Sequence, residues 1–249
     1  MTDVDKDLKI VYQDENFFAV NKPSGIAVHK TGPNDPNLTL VDLILEKFPE
    51  IKNVGDSSTG LGQMTLRPGI VHRLDKETSG LMLVARNQES FNYLKNLFQK
   101  RLIQKTYLAL VYGKPNPPAG GKKGVIDLPL GKIGTKQTIR IKGKKELKER
   151  EAVTEYKIIR EFTDYSLLEI YPKTGRTHQV RTHLNSIGHP VVCDPIYGGR
   201  KKYCPPELGR LFLHAQKLEF TSPSGQRLHL EVELPNELTS FLNSLTIFP

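Results

Sequence analysis

The 249-residue chain has only two cysteines, Cys193 and Cys204. So sparse a pair is no disulfide framework, and no second Cys/His pair stands at zinc-finger spacing. Two ordinary thiols in a reducing cytosol are expected, with one structural disulfide as the alternative. No stretch reaches the apolar length of a membrane span. Residues Met1 to Lys9 are mostly polar and mixed in charge, without the apolar run of a signal peptide. A cytoplasmic protein with no membrane partner is therefore expected. Internal repeats and long low-complexity tracts are absent. A glycine-rich phosphate loop and a Gly-x-Ser-x-Gly elbow are also missing, which removes the usual sequence signs of nucleotide hydrolysis and of serine hydrolases.

Positive charge is what the chain has in excess. Lys and Arg number 36 against 27 Asp and Glu, a formal net charge of +9. Such an excess favours polyanionic partners, because neutralised phosphates release counterions. Charge alone does not separate RNA from DNA or from an anionic membrane surface. Hydrophobic residues make up 37% of the chain, which suits a globular core.

Short strands are expected at Ile10 to Tyr12 and Phe17 to Asn21, each followed by a turn, with extended chain again at Ile26 to His29. Leu40, Val41, Leu43, Ile44 and Phe48 recur at helical spacing. Residues 52–69 read as a loop. Ile70-Val71 and Leu81 to Ala85 read as buried strands, and a helix with Phe91, Leu94, Leu97 and Phe98 on one face follows. Tyr107 to Tyr112 and Leu167 to Tyr171 are strong strand signals. Thr177 is expected to cap a helix carrying Val180, Leu184 and Ile187, which ends at Gly188 and Pro190. Two more strands are expected at Leu211 to Ala215 and Leu228 to Leu234. The fold class is α+β, with a mixed, largely antiparallel sheet and flanking helices. Composition does not shift across Pro115 to Gly124, so residues 1–249 are read as a single domain. Residues 136–150 are strongly basic, with Lys136, Arg140, Lys142, Lys144, Lys145, Lys148 and Arg150 against Glu146 and Glu149. They form either a solvated hairpin or a contact with RNA phosphates.

Two segments carry chemistry. In Gly69 to Arg86, a short loop lies between apolar strands and holds Asp75 among His72, Arg73 and Lys76. Neighbouring positive charge keeps a carboxylate ionised, so Asp75 could serve as base, nucleophile or metal ligand. A surface ion-pair cluster has the same appearance. In Tyr171 to His183, His178 and Arg181 stand three apart and share a helix face. A basic face without acidic neighbours suits a carboxylate or phosphate partner, or plain solvent. His178 and His183 are five apart, the wrong spacing for two metal ligands on one face, and no metal is expected.

Together the segments resemble a known family. HRLDKETSG at 72–80 resembles the central motif of RluA-type pseudouridine synthases. NKPSGIAVH at 21–29, KTYLALVYG at 105–113 and KTGRTHQVRTH at 173–183 are similar to its other motifs in the same order. HPVVCDPIYGG at 189–199 and RLFLHAQKLEF at 210–220 match more weakly. The resemblance spans about residues 8–235. It implies a cofactor-free isomerisation of uridine in structured RNA, either ribosomal RNA or tRNA, and a monomer is expected. Asp75 would be the nucleophile, Tyr107 would stack on the base, and Arg181 would hold Asp75 ionised. His72, Arg73, Arg176, His178 and Leu213 would bind substrate, with Arg73 filling the space a flipped base leaves. The small N-terminal RNA-binding domain of some members is not expected. Two departures from the pattern stand out. Cys193 replaces the usual Gly before an Asp, where Gly tolerates backbone conformations that Cys avoids. Thr182 replaces an apolar β-branched residue.

Overall fold

The structure, a computed structural model, describes residues 8–30, 32, 34–56, 67–117, 120–133, 136–139, 149–198 and 204–247. The chain forms two compact units. The first comprises residues 1–104 and 217–232, the second residues 105–216 and 233–249.

The first unit begins with β1 (Ile10–Gln13), β2 (Phe17–Lys22), α1 (Leu40–Lys47), β3 (Ser79–Ala85) and α2 (Gln88–Gln99). β2 pairs antiparallel with both β1 and β3. β3 is buried along its whole length, as its unbroken apolar run requires. α1 forms where expected because Thr39 and Asp42 close a capping box. Asp42 accepts from the Thr39 N–H at 2.8 Å, and the Thr39 hydroxyl accepts from the Asp42 N–H at 3.4 Å. α1 buries Leu40, Val41, Leu43 and Ile44. Asn87 caps α2 through the Ser90 N–H at 2.8 Å, and Phe91, Leu94 and Leu97 face inward. The runs at Ile26 to His29 and Ile70-Val71 form only isolated bridges, Ala27 to Thr39 and Ile70 to Val84.

The second unit is built on β4 (Gln104–Tyr112), β5 (Lys123–Asp127), β8 (Val153–Glu161) and β9 (Tyr165–Pro172). β9 pairs antiparallel with β4 and β8, and β8 with β5. A separate two-stranded ribbon joins β6 (Leu130–Ile133) to β7 (Lys136–Ile139). α3 (Gln179–Ser186) and α4 (Asn236–Ser244) complete the unit. β10 (Leu213–Thr221) begins in the second unit and ends in the first, where it pairs antiparallel with β11 (Arg227–Glu231). The expected α+β class with a largely antiparallel sheet is borne out.

Some local expectations need correction. β5, β8 and α4 had no counterpart in the sequence reading. Thr177 does not cap α3. His178 takes that place with a left-handed backbone (φ 52°) and no capping hydrogen bond from its side chain. The two cysteines are not free thiols, because Cys193 and Cys204 are joined as a disulfide. Cys193 has φ 59°, the region where glycine is at ease, as its place in the pattern suggested. Of the basic run 136–150, positions 140–148 lie outside the described residues.

Candidate active site

The Asp75 loop is framed by its start and its end. Before it, Gly69 has φ 69°, and a Cβ there would lie 2.6 Å from the Ala85 carbonyl oxygen, so only glycine fits against β3. After it, the β2–β3 register sets Lys22 opposite Gly80. The Lys22 side chain is fully buried. Its ammonium donates to the carbonyls of Pro23 at 2.7 Å, Ile26 at 3.0 Å and Lys76 at 3.1 Å. The Ser24 hydroxyl donates to the Glu77 carbonyl at 2.6 Å, and the Gly25 N–H to the Lys76 carbonyl at 2.9 Å. The segment at 21–25 is thus a brace for the loop, and it acts on main-chain atoms. The Thr78 N–H closes a turn onto the Asp75 carbonyl at 3.2 Å. Asp75 itself is half-buried and Arg73 is exposed.

His72 also fastens the loop. Its Nε2 accepts the Leu83 N–H at 2.9 Å, which leaves the proton on Nδ1, and its ring stacks on Phe98 at 4.2 Å. His29 is 9% exposed, and its buried Nδ1 has no hydrogen-bond partner among the described residues. Burial first, then the charges of Arg67 and Arg73, push the His29 imidazole down to about 4.

In the second unit, Arg181 is fully buried. An exposed basic face is therefore excluded. Its Nε and Nη2 donate to the two oxygens of Asp194, each at 2.8 Å. This bidentate pairing suits a buried guanidinium. Asp194 also accepts the N–H groups of Ile196 and Tyr197 at 2.9 Å. Burial alone would raise its pKa. Arg181 and the two N–H donors overcome that and hold the carboxyl below its ordinary value. Asp194 was missed as a site residue, although it lies inside the segment at 189–199. The Tyr197 ring lies 5.4 Å from the Arg181 guanidinium carbon, and its hydroxyl is 2.9 Å from His178 Nδ1.

A polar network holds α3 against β8, and its directions can be assigned. The Leu128 carbonyl can only accept, so His183 Nε2 carries the proton at 2.9 Å, and Nδ1 accepts from the Thr154 hydroxyl at 2.9 Å. Thr154 accepts from Gln179 Nε2 at 3.0 Å. Gln179 Oε1 accepts from the Thr174 hydroxyl at 2.7 Å and from the Arg176 N–H at 3.0 Å. Both nitrogens of His183 are thus used in packing, leaving no lone pair for a metal. Burial keeps His183 neutral, with Leu128 and Asp127 opposing only in part.

Among the predicted residues, His178 and Arg181 are brought together around Tyr197. The Arg176 Nε donates to the Glu151 carbonyl at 3.1 Å. Leu213 is buried in a hydrophobic cluster against which the half-buried Tyr107 packs. His72, Arg73 and Asp75 belong to the first unit, and Tyr107, Arg176, His178, Arg181 and Leu213 to the second. No helix among the described residues is long and apolar enough to cross a membrane.

Known proteins match this arrangement over most of its length. An RNA pseudouridine synthase of Chloroflexus aurantiacus described as uncharacterized is 39% identical over 90% of this chain and 65% of its own length. Ribosomal large subunit pseudouridine synthase D of Nitrosomonas europaea is 37% identical over 97% of this chain and 66% of its own length. The chain therefore spans just under two thirds of these curated relatives. The solved structure of human RNA pseudouridylate synthase domain containing 4 superposes with a TM-score of 0.72 at 26% identity, over 94% of this chain and 92% of that one. The family model described as RNA pseudouridylate synthase matches residues 16–186, a span that takes in the braced Asp75 loop, Tyr107 and Arg181, and the chain belongs to that family.

Proposed function

We propose that this chain isomerises uridine to pseudouridine in structured RNA, with Asp75 as the nucleophile. The observation that carries this reading is the Asp75 loop itself, an acidic residue pinned by main-chain bonds within the family's matched span. The N1–C1′ bond breaks, a C5–C1′ bond forms, C5 loses a proton and N1 gains one. No electron or group is donated from outside, so the reaction is complete without a cofactor. Attack at C1′, attack at C6 and removal of a sugar proton all require an ionised carboxylate. In this reading Arg181 supplies positive charge to the reaction centre, which offsets the cost of desolvating a carboxylate there. Tyr107 stacks on the flipped base over Leu213, and Arg73 fills the vacated space. His72, Arg176 and His178 complete the substrate-binding set.

The target class is ribosomal RNA or tRNA. Relatives named as large-subunit ribosomal synthases support the first. The same reading takes the chain as a cytoplasmic monomer in which residues 1–249 act as one catalytic domain. The test is tritium release from ribosomal RNA and tRNA made with C5-tritiated uridine, beside Asp75→Asn. Release by the wild type and none by the variant is the expected result. No release from any RNA by folded protein that still binds RNA would replace this reading with that of a non-catalytic binding factor.

A further inference from the structure

Tyr197 touches three structures at once. Its ring faces the Arg181 guanidinium at 5.4 Å, and its own N–H donates to Asp194, which holds that guanidinium. Its hydroxyl accepts the Gln137 N–H of β7 at 3.1 Å and lies 2.9 Å from His178 Nδ1. The Gln137 bond has a fixed direction, with Tyr197 as acceptor, while the direction of the Tyr197–His178 bond follows the His178 tautomer.

The Gln137 bond is informative because of where it comes from. β7 pairs with β6 in a two-stranded ribbon. A ribbon this short has little stability of its own, so its place depends on what it is attached to. Here a main-chain amide of the ribbon is taken up by a buried side chain rather than by another strand. Lys132 and Lys136 lie on the ribbon, and Lys132 is exposed. Such a segment is suited to RNA phosphates, whose contacts position the substrate without reading its sequence.

We infer that Tyr197 is a positioning residue that ties the basic ribbon to the Arg181–Asp194 pair, with separable duties for its two ends. The hydroxyl sets the ribbon and with it RNA binding. The ring sets Arg181 and with it the chemical step. This inference rests on the synthase reading for its kinetic consequences, but not for the docking of the ribbon.

Two variants separate the duties. Tyr197→Phe keeps the ring and loses the hydroxyl. It is expected to raise KM for RNA by about tenfold with kcat within about twofold, as loss of one hydrogen bond in uniform binding does. Tyr197→Leu loses both and is expected to lower kcat by about tenfold as well. Amide exchange measured without RNA supplies the independent readout. The Gln137 amide should exchange at least about tenfold faster in Tyr197→Phe, while the amides of α3 keep their protection. Unchanged Gln137 exchange, or a fall in kcat with unchanged KM in Tyr197→Phe, would overturn the inference. If wild type released no tritium while Gln137 exchange responded as stated, the synthase reading would fail and the docking role would stand.

Discussion

Asp75 sits on a loop pinned by main-chain carbonyls around one buried ammonium, whereas Arg181 sits inside a helix pinned by side chains. In the first unit, Lys22, Ser24 and Gly25 act on the carbonyls of Lys76 and Glu77, so the loop's shape depends little on which side chains those residues carry. In the second, side chains meet side chains, a carboxylate for the guanidinium, a hydroxyl for His183 and an amide for Thr174, with main-chain groups adding to His183 and Asp194. Charge is treated differently as well. Asp75 is left half-buried, where a substrate meets it, while Arg181 is fully buried and held on two of its nitrogens by Asp194. The carboxylate is built to be reached and the guanidinium to stay fixed.

Removing the anchor of either region should break this contrast. The largest effect is expected from Asp194→Ala, which strands a buried guanidinium and should destabilise the protein by about 4 kcal/mol in urea unfolding. Asp194→Asn, which keeps an acceptor, should lose less. Lys22→Met removes one donor from three carbonyls and should lose about 3 kcal/mol in the same measurement. An effect below about 1 kcal/mol would mean that water or another donor replaces the ammonium.

Acid sharpens the contrast, because each region contains a histidine held neutral. In the unfolded chain His29 titrates near 6.5, and in the fold at about 4. Between these values the unfolded chain binds the proton and the fold does not. Stability should therefore fall as pH drops from 6.5 towards 4, by up to about 3 kcal/mol from His29, and His183 should add to the slope in the same direction. Unfolding free energies across that range, compared with His29→Leu, check this, and an identical slope in the variant would remove His29 as its source. The smallest predicted effect is a gain. The Thr182 hydroxyl is buried and has no hydrogen-bond partner among the described residues. Thr182→Val should raise stability by about 1 kcal/mol.

What was legible in the sequence follows the same division. Strands and helices with clean periodicity, such as β2, β4, α1 and α2, were readable because burial alone sets their pattern. β8 was not. Its inward row includes Thr154 beside Tyr156 and Ile158, and a register irregularity follows between Ile158 and Arg160, so the alternation breaks down. Asp75, Tyr107 and Arg181 stood out through motifs in order. Asp194 and Tyr197 did not, because their meaning depends on a turn that returns them to a helix 13 residues earlier. Lys22 was hidden for another reason. A lysine in a polar segment reads as solvent-exposed, and only the β2–β3 register places it inside. Thr182 and Cys193 were visible as departures from a pattern, and the structure gives each a physical reading.

The Cys193–Cys204 bond has a consequence for descent. At a left-handed position a cysteine is about 1–2 kcal/mol worse than glycine. A cross-link closing so short a span contributes roughly 3 kcal/mol. Together the two cysteines are a net gain, but Cys193 without Cys204 is a loss. With both in place, mutation of Cys204 alone is harmful, and glycine at 193 would relieve the loss. The two positions should therefore change as a pair, and glycine at 193 should accompany the absence of cysteine at 204 along any lineage that shares this turn.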